Sequence, residues 1–125
     1  MSSVGAAAAL SCVQTNREVS MITTIVQFAL SEPISLDEAA KRFRSSAPKY
    51  HKMPGLIRKY YIRSEDGSTA GGVYLWESRE AAEKVYAGEW RARVAQLYGA
   101  EPVISWFDSP VIVDNALGGA VTVAA

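Results

Sequence analysis

His51 is the only histidine in the chain, within the basic run Lys49-Tyr50-His51-Lys52 and just ahead of Pro54-Gly55. An imidazole, whose unperturbed pKa lies near neutrality, suits a general base, while a solvated surface histidine is the plain alternative. Lys59 and Tyr61 stand two apart in Leu56-Ile57-Arg58-Lys59-Tyr60-Tyr61-Ile62-Arg63, so on a strand they share one face. An ammonium in a mostly apolar pocket would hold a phenolate or enolate, with the Tyr61 phenol as a second proton acceptor beside it. Otherwise Lys59 snorkels to the sheet edge or pairs with a carboxylate. Gly72, Tyr74 and Trp76 share a face of the next apolar run, where a missing side chain next to two aromatics would shape a flat-walled slot for a planar aromatic molecule. Trp90 and Trp106 would close that space from above and from the side. Each of these aromatics equally suits core or subunit packing. The adjacent glycines Gly71-Gly72 inside a strand signal the close approach of another backbone or of a ligand.

The elements that must carry these groups follow from pattern and punctuation. Ile22 to Leu30 is strand-like and is stopped by Ser31-Glu32-Pro33. Ser35-Leu36-Asp37-Glu38 has capping-box spacing and opens a helix with Leu36, Ala39, Ala40 and Phe43 on one face. Pro48 breaks or kinks that helix before a short turn toward Met53. Leu56 to Arg63 is the second strand, and Glu65-Asp66-Gly67-Ser68 turns it back into the antiparallel third, Thr69 to Trp76. Ser78 caps a helix bearing Ala81, Ala82 and Val85. Gly88 interrupts it, and Glu89 to Tyr98 forms a second segment with Trp90, Val94 and Leu97 facing one way. Gly99 suits a C-terminal cap, Val103 to Phe107 is the last strand of the sheet, and Pro110 separates it from Val111-Ile112-Val113. The order β-α-β-β-α-β predicts an α+β, ferredoxin-like domain, a four-stranded antiparallel sheet with its helices on one face. Its other face is left apolar and open, which a symmetric homodimer packing sheet on sheet would cover.

With 125 residues, 49% of them hydrophobic and 21% charged, the chain has the size and composition of one globular domain. Thirteen basic side chains balance thirteen acidic ones, which gives no field to attract nucleic acid or an anionic membrane. The lone Cys12 cannot make an internal disulfide, in keeping with a cytoplasmic protein. Residues 1–20 read as a loosely ordered extension, too short in apolar length to span a bilayer and without the basic start of a secretory signal. The domain is expected over 21–115, followed by a small-residue tail at 116–125. One His and a remote Cys make no metal cluster, and no dinucleotide fingerprint or serine elbow is present.

Three pieces, Pro54 to Tyr60, Ala70 to Glu77 with Ala81-Ala82-Glu83, and Ser109 to Asn115, occur in order and at compatible spacing. Through them the segment from about Ile22 to Asn115 resembles the monooxygenase family of the dimeric α+β barrel superfamily, which includes antibiotic-biosynthesis monooxygenases. The resemblance implies a homodimeric barrel and a cofactor-independent oxygenase that acts on a planar aromatic or polyketide-like molecule and dioxygen, without metal or flavin. It makes Lys59 the lysine of a glycine-leucine-x-x-lysine pattern. Val113-Asp114-Asn115 resembles the family's C-terminal signature, and Asp108, Asp114 and Asn115 read as a turn-forming or dimer-locking element, with a catalytic role as the alternative. His51, Lys59 and Tyr61 are then the expected catalytic groups, and Gly72, Tyr74, Trp76, Trp90 and Trp106 the expected substrate contacts. Related barrels also house cyclases, isomerases, non-catalytic binding proteins and haem-degrading enzymes, in which His51 would instead be an iron ligand.

Overall fold

A computed structural model describes residues 21–117 and 119–122. The expectations for residues 1–20, Cys12 included, lie outside the described residues. Strands β1 (Ile22–Ala29), β2 (Leu56–Arg63), β3 (Thr69–Trp76) and β4 (Val103–Asp108) form one sheet in the order β2-β3-β1-β4. Every neighbouring pair is antiparallel. Helices α1 (Leu36–Ser46), α2 (Arg79–Ala87) and α3 (Trp90–Tyr98) complete the α+β, ferredoxin-like arrangement. No helix among the described residues is long and apolar enough to cross a membrane.

The junctions show why these boundaries fall where they do. Ser35 Oγ accepts from the Glu38 amide at 3.1 Å and Ser78 Oγ from the Ala81 amide at 3.1 Å, so two otherwise orphaned helical donors are satisfied. After α1, Pro48 sits in a 3₁₀ turn, Ala47–Lys49, that carries the chain round to Tyr50. Between β2 and β3, Asp66 Oδ1 accepts from the Ser68 amide at 2.9 Å and from the Ser64 and Ser68 hydroxyls. These bonds hold its carboxyl at about 2. Gly67 follows at φ +78°, a left-handed position that favours glycine.

Burial alternates strictly along β1 and, apart from buried Gly71, along β3. Ile22, Thr24, Val26 and Phe28 of β1, with Ala70, Gly72, Tyr74 and Trp76 of β3, lie buried beneath the helices. On the opposite face Val103 is 62% exposed, Tyr60 56% and Phe107 50%.

Three details depart from the sequence pattern. Leu36, expected on the core face of α1, is 67% exposed; it is the helix's first residue and lies a full turn ahead of where Ala39 enters the core. On α3 the buried series is Trp90, Val94 and Tyr98, and Leu97 stays at the surface. Each four-residue step advances the position by about 40° around the helix, so the buried stripe winds toward Tyr98 and leaves Leu97 on the solvent side. The tail at 116–125, set apart from the domain on its small residues, contains β6 (Gly119–Thr122), which pairs antiparallel with β5 (Val111–Asp114) in a separate two-stranded sheet.

Candidate active site

Beneath α3 and the end of α1, a cavity of about 310 Å³ opens over the β2–β3 half of the sheet. Lys59 forms part of its wall, with Phe28, Tyr50, Tyr61, Tyr74 and Tyr98. Strand parity brings Lys59 and Tyr61 to this side, and the β2–β3 register sets Lys59 opposite Tyr74 and Tyr61 opposite Gly72. Lys59 Nζ lies 3.4 Å from the ring centroid of Tyr50, 3.9 Å from that of Tyr61 and 4.6 Å from that of Tyr74. Among the described residues it forms no ion pair.

The two glycines of β3 have different tasks. A Cβ on Gly71 would fall on the Val26 carbonyl, so Gly71 permits the close approach of two strand backbones. A Cβ on Gly72 would stand 2.9 Å from Lys59 Cε and 3.1 Å from Tyr74 Cε1. The space that Gly72 leaves is therefore filled by the lysine stem, which lies down against Tyr74.

This placement fixes the electrostatics. Burial, and secondarily the Arg93 charge, push the Lys59 amine down to about 6. The three ring faces attract the cationic form and so act in the opposite sense. Tyr61 and Tyr74 are both raised, chiefly by burial, so their hydroxyls stay protonated at neutral pH. Tyr61 OH shares a 2.8 Å hydrogen bond with Ser46 Oγ. Trp90 Nε1 donates to Tyr50 OH at 3.0 Å and fixes the ring nearest the amine.

The other anticipated residues fall elsewhere. His51 is exposed on the turn after the 3₁₀ segment and lines an open groove at the β2 edge. Lys59 and Tyr61 form the inner wall of that groove too, so the lysine lies between groove and cavity. Trp76 lies one layer behind Tyr74, stacked at 5.8 Å, fully buried and donating from Nε1 to Thr24 Oγ1 at 3.0 Å. Trp90 supports Tyr50 from behind. Trp106 packs on Tyr86 at 5.8 Å with the Arg79 guanidinium 4.2 Å from its own centroid. Of the expected substrate contacts, Tyr74 alone lines the cavity.

Tyr50, Tyr98, Arg93 and Ser46 were not anticipated. The four-residue series Trp90–Val94–Tyr98 holds a signal for Tyr98, but nothing in the pattern says which helix ends meet over β2. Among the described residues no cluster of metal-ligating side chains occurs. The arrangement is an amine without an acid partner, enclosed by phenols, at the wall of an apolar cavity.

The family profile described as "Putative mono-oxygenase ydhR" matches residues 24–108. No curated protein matches significantly. Among solved structures, the Streptomyces coelicolor monooxygenase ActVA-Orf6, in complex with nanaomycin D, is 18% identical. It superposes with a TM-score of 0.56 over 73% of this chain and 88% of its own. SnoaB, a cofactor-independent oxygenase from Streptomyces nogalater, is 16% identical with a TM-score of 0.56, over 72% of this chain and 93% of its own. An antibiotic-biosynthesis monooxygenase homologue from Caulobacter crescentus is 21% identical with a TM-score of 0.56, over 73% and 91%. At these identities the likeness is one of fold.

Proposed function

The chain belongs to the ydhR mono-oxygenase family, and from that premise we propose that it oxygenates a planar, phenolic or polyketide-like aromatic molecule with dioxygen and no cofactor. The observation that carries this reading is the Lys59 amine, without an ion pair among the described residues and set against Tyr50, Tyr61 and Tyr74 at the cavity wall. An amine held near 6 is largely neutral at pH 7 and can take the acidic proton of a phenol or anthrone. Proton transfer makes it an ammonium that lies on the ring faces and pairs with the substrate anion it has just created. Base and counter-ion are then one residue. His51, on the edge groove, is not needed for proton abstraction.

The anion passes one electron to dioxygen, and the resulting radical pair combines at the substrate carbon to give a peroxide. When that carbon began as a CH₂ group, the peroxide loses water and leaves a carbonyl; one oxygen atom stays on the product and the other departs as water. The aromatic walls exclude bulk water from the anion. The fold shared with a cofactor-independent oxygenase, SnoaB, supports the absence of flavin or metal. We further propose that a second copy of the chain covers the sheet face carrying Tyr60, Val103 and Phe107.

Oxygen uptake by metal-stripped protein with a panel of hydroquinones and anthrones tests the reaction. Uptake that depends on Lys59 supports it. Uptake equal to that of Lys59→Met contradicts it, and turnover under strict anaerobiosis assigns the cavity to a cyclase or isomerase instead.

A further inference from the structure

The chain contains five lysines, and Lys41, Lys49, Lys52 and Lys84 are exposed. Lys59 differs from them in its surroundings. It is partly buried where they are exposed, and its amine lies against the faces of three tyrosines at the wall of an apolar cavity that Lys49 also reaches; no lysine has an acid partner among the described residues. A lysine so desolvated is a nucleophile as well as a base, and carbonyl carbon is what a neutral amine attacks. The cavity, at about 310 Å³, lies at the lower end of small-molecule sites and suits an aromatic aldehyde or ketone of one or two rings.

We propose that Lys59 is a covalent capture site for aromatic carbonyl compounds, condensing through Nζ with an aldehyde or ketone seated in the cavity to form a Schiff base. The N–C bond forms first, giving a carbinolamine. The C–O bond then breaks, and the carbonyl oxygen leaves as water carrying the two protons that were on the amine, with no oxidation or reduction. The Tyr61 hydroxyl, raised by burial and hydrogen-bonded to Ser46 Oγ at 2.8 Å, is the group placed to hand one proton to the departing oxygen and recover one from nitrogen. The chemistry consumes no dioxygen, so it depends on the cavity and not on the oxygenase reading.

The test is reductive trapping of the full-length chain with 2-naphthaldehyde and cyanoborohydride at pH 7 under argon, followed by peptide mapping. The expected result is a naphthylmethyl group on Lys59 at a rate about tenfold or more above any exposed lysine, since those lack the burial that holds the Lys59 amine against a carbonyl seated in the cavity. The preference should vanish in urea, and Tyr61→Phe should slow capture severalfold while leaving the aromatic cage. An unlabelled Lys59, labelling no faster than at Lys41 or Lys84, or a preference that survives in urea would overturn the proposal. Oxygen uptake without trapping would defeat this inference alone, whereas trapping without oxygen uptake would defeat the oxygenase reading alone.

Discussion

The helix-covered face of the sheet has two ends built from the same residue types. At one end Trp76, Thr24 and Tyr86 are closed on one another: Trp76 Nε1 donates to Thr24 Oγ1 at 3.0 Å, and that oxygen meets Tyr86 OH at 2.6 Å. The indole has one donor and it is used. At the other end Tyr50, Tyr61 and Tyr74 surround an amine that has ring faces where a carboxylate would normally stand. Polar atoms paired in a dry core hold structure together, while a titratable group left unpaired beside a cavity is available for chemistry. Aromatic residues alone do not distinguish the two ends; their partners do.

Substitutions can pull that contrast apart. Trp76→Ala should cost about 3–5 kcal/mol in denaturant unfolding, the range for deleting a buried aromatic, and more than any change made at the cavity end. Lys59→Met should do the reverse. It should lower kcat/KM for oxygen uptake by about a hundredfold, the lower range of general-base contributions, yet raise the melting temperature.

That gain should depend on pH, with a definite sign. Between about 6 and the ordinary lysine value the unfolded chain binds a proton at Lys59 that the folded chain does not, so wild-type stability rises with pH through this window. The advantage of Lys59→Met should therefore be greatest at pH 6 and below and shrink toward pH 10. Thermal melts across that range measure it, and a constant gap would refute it.

The two glycines sharpen the contrast further. Gly71→Ala presses a methyl group onto the Val26 carbonyl, and overpacking against backbone should cost about 1–3 kcal/mol. Gly72→Ala meets the flexible end of Lys59 instead, so it should cost less stability while reducing oxygen uptake. On the open face, Phe107→Glu should change unimolecular stability by no more than about 0.5 kcal/mol, as surface substitutions usually do. It should shift sedimentation from dimer to monomer, and an unchanged sedimentation coefficient would count against the proposed sheet-on-sheet pairing.

Much of the fold was legible because local chemistry and global layout agree. Ser35 and Ser78 cap the helices they precede, Asp66-Gly67 makes the hairpin, and Gly88 divides α2 from α3. Period-two alternation correctly groups Lys59 with Tyr61, and Gly72 with Tyr74 and Trp76, because strand parity is a backbone property. The cavity was legible only in part. Which helix end hangs over β2 is decided by tertiary packing, so Tyr50, Arg93 and Tyr98 carry no local mark of their neighbourhood to Lys59. The hydrogen bonds that commit Trp76 to Thr24 and Trp90 to Tyr50 join residues 52 and 40 positions apart, beyond any sequence pattern. β6 was missed because Gly119-Ala120-Val121-Thr122 is strand-like only once Val111–Asp114 lies alongside it.

The central claim is that Lys59 carries an amine that is neutral at physiological pH within a cage of phenols. Its most direct test is a titration of the lysine side-chain ¹³Cε resonances by NMR, with Lys59 assigned by its absence from Lys59→Met. One resonance should titrate with a midpoint at about 6, set well apart from those of the exposed lysines. A Lys59 resonance that titrates with the others would contradict the account.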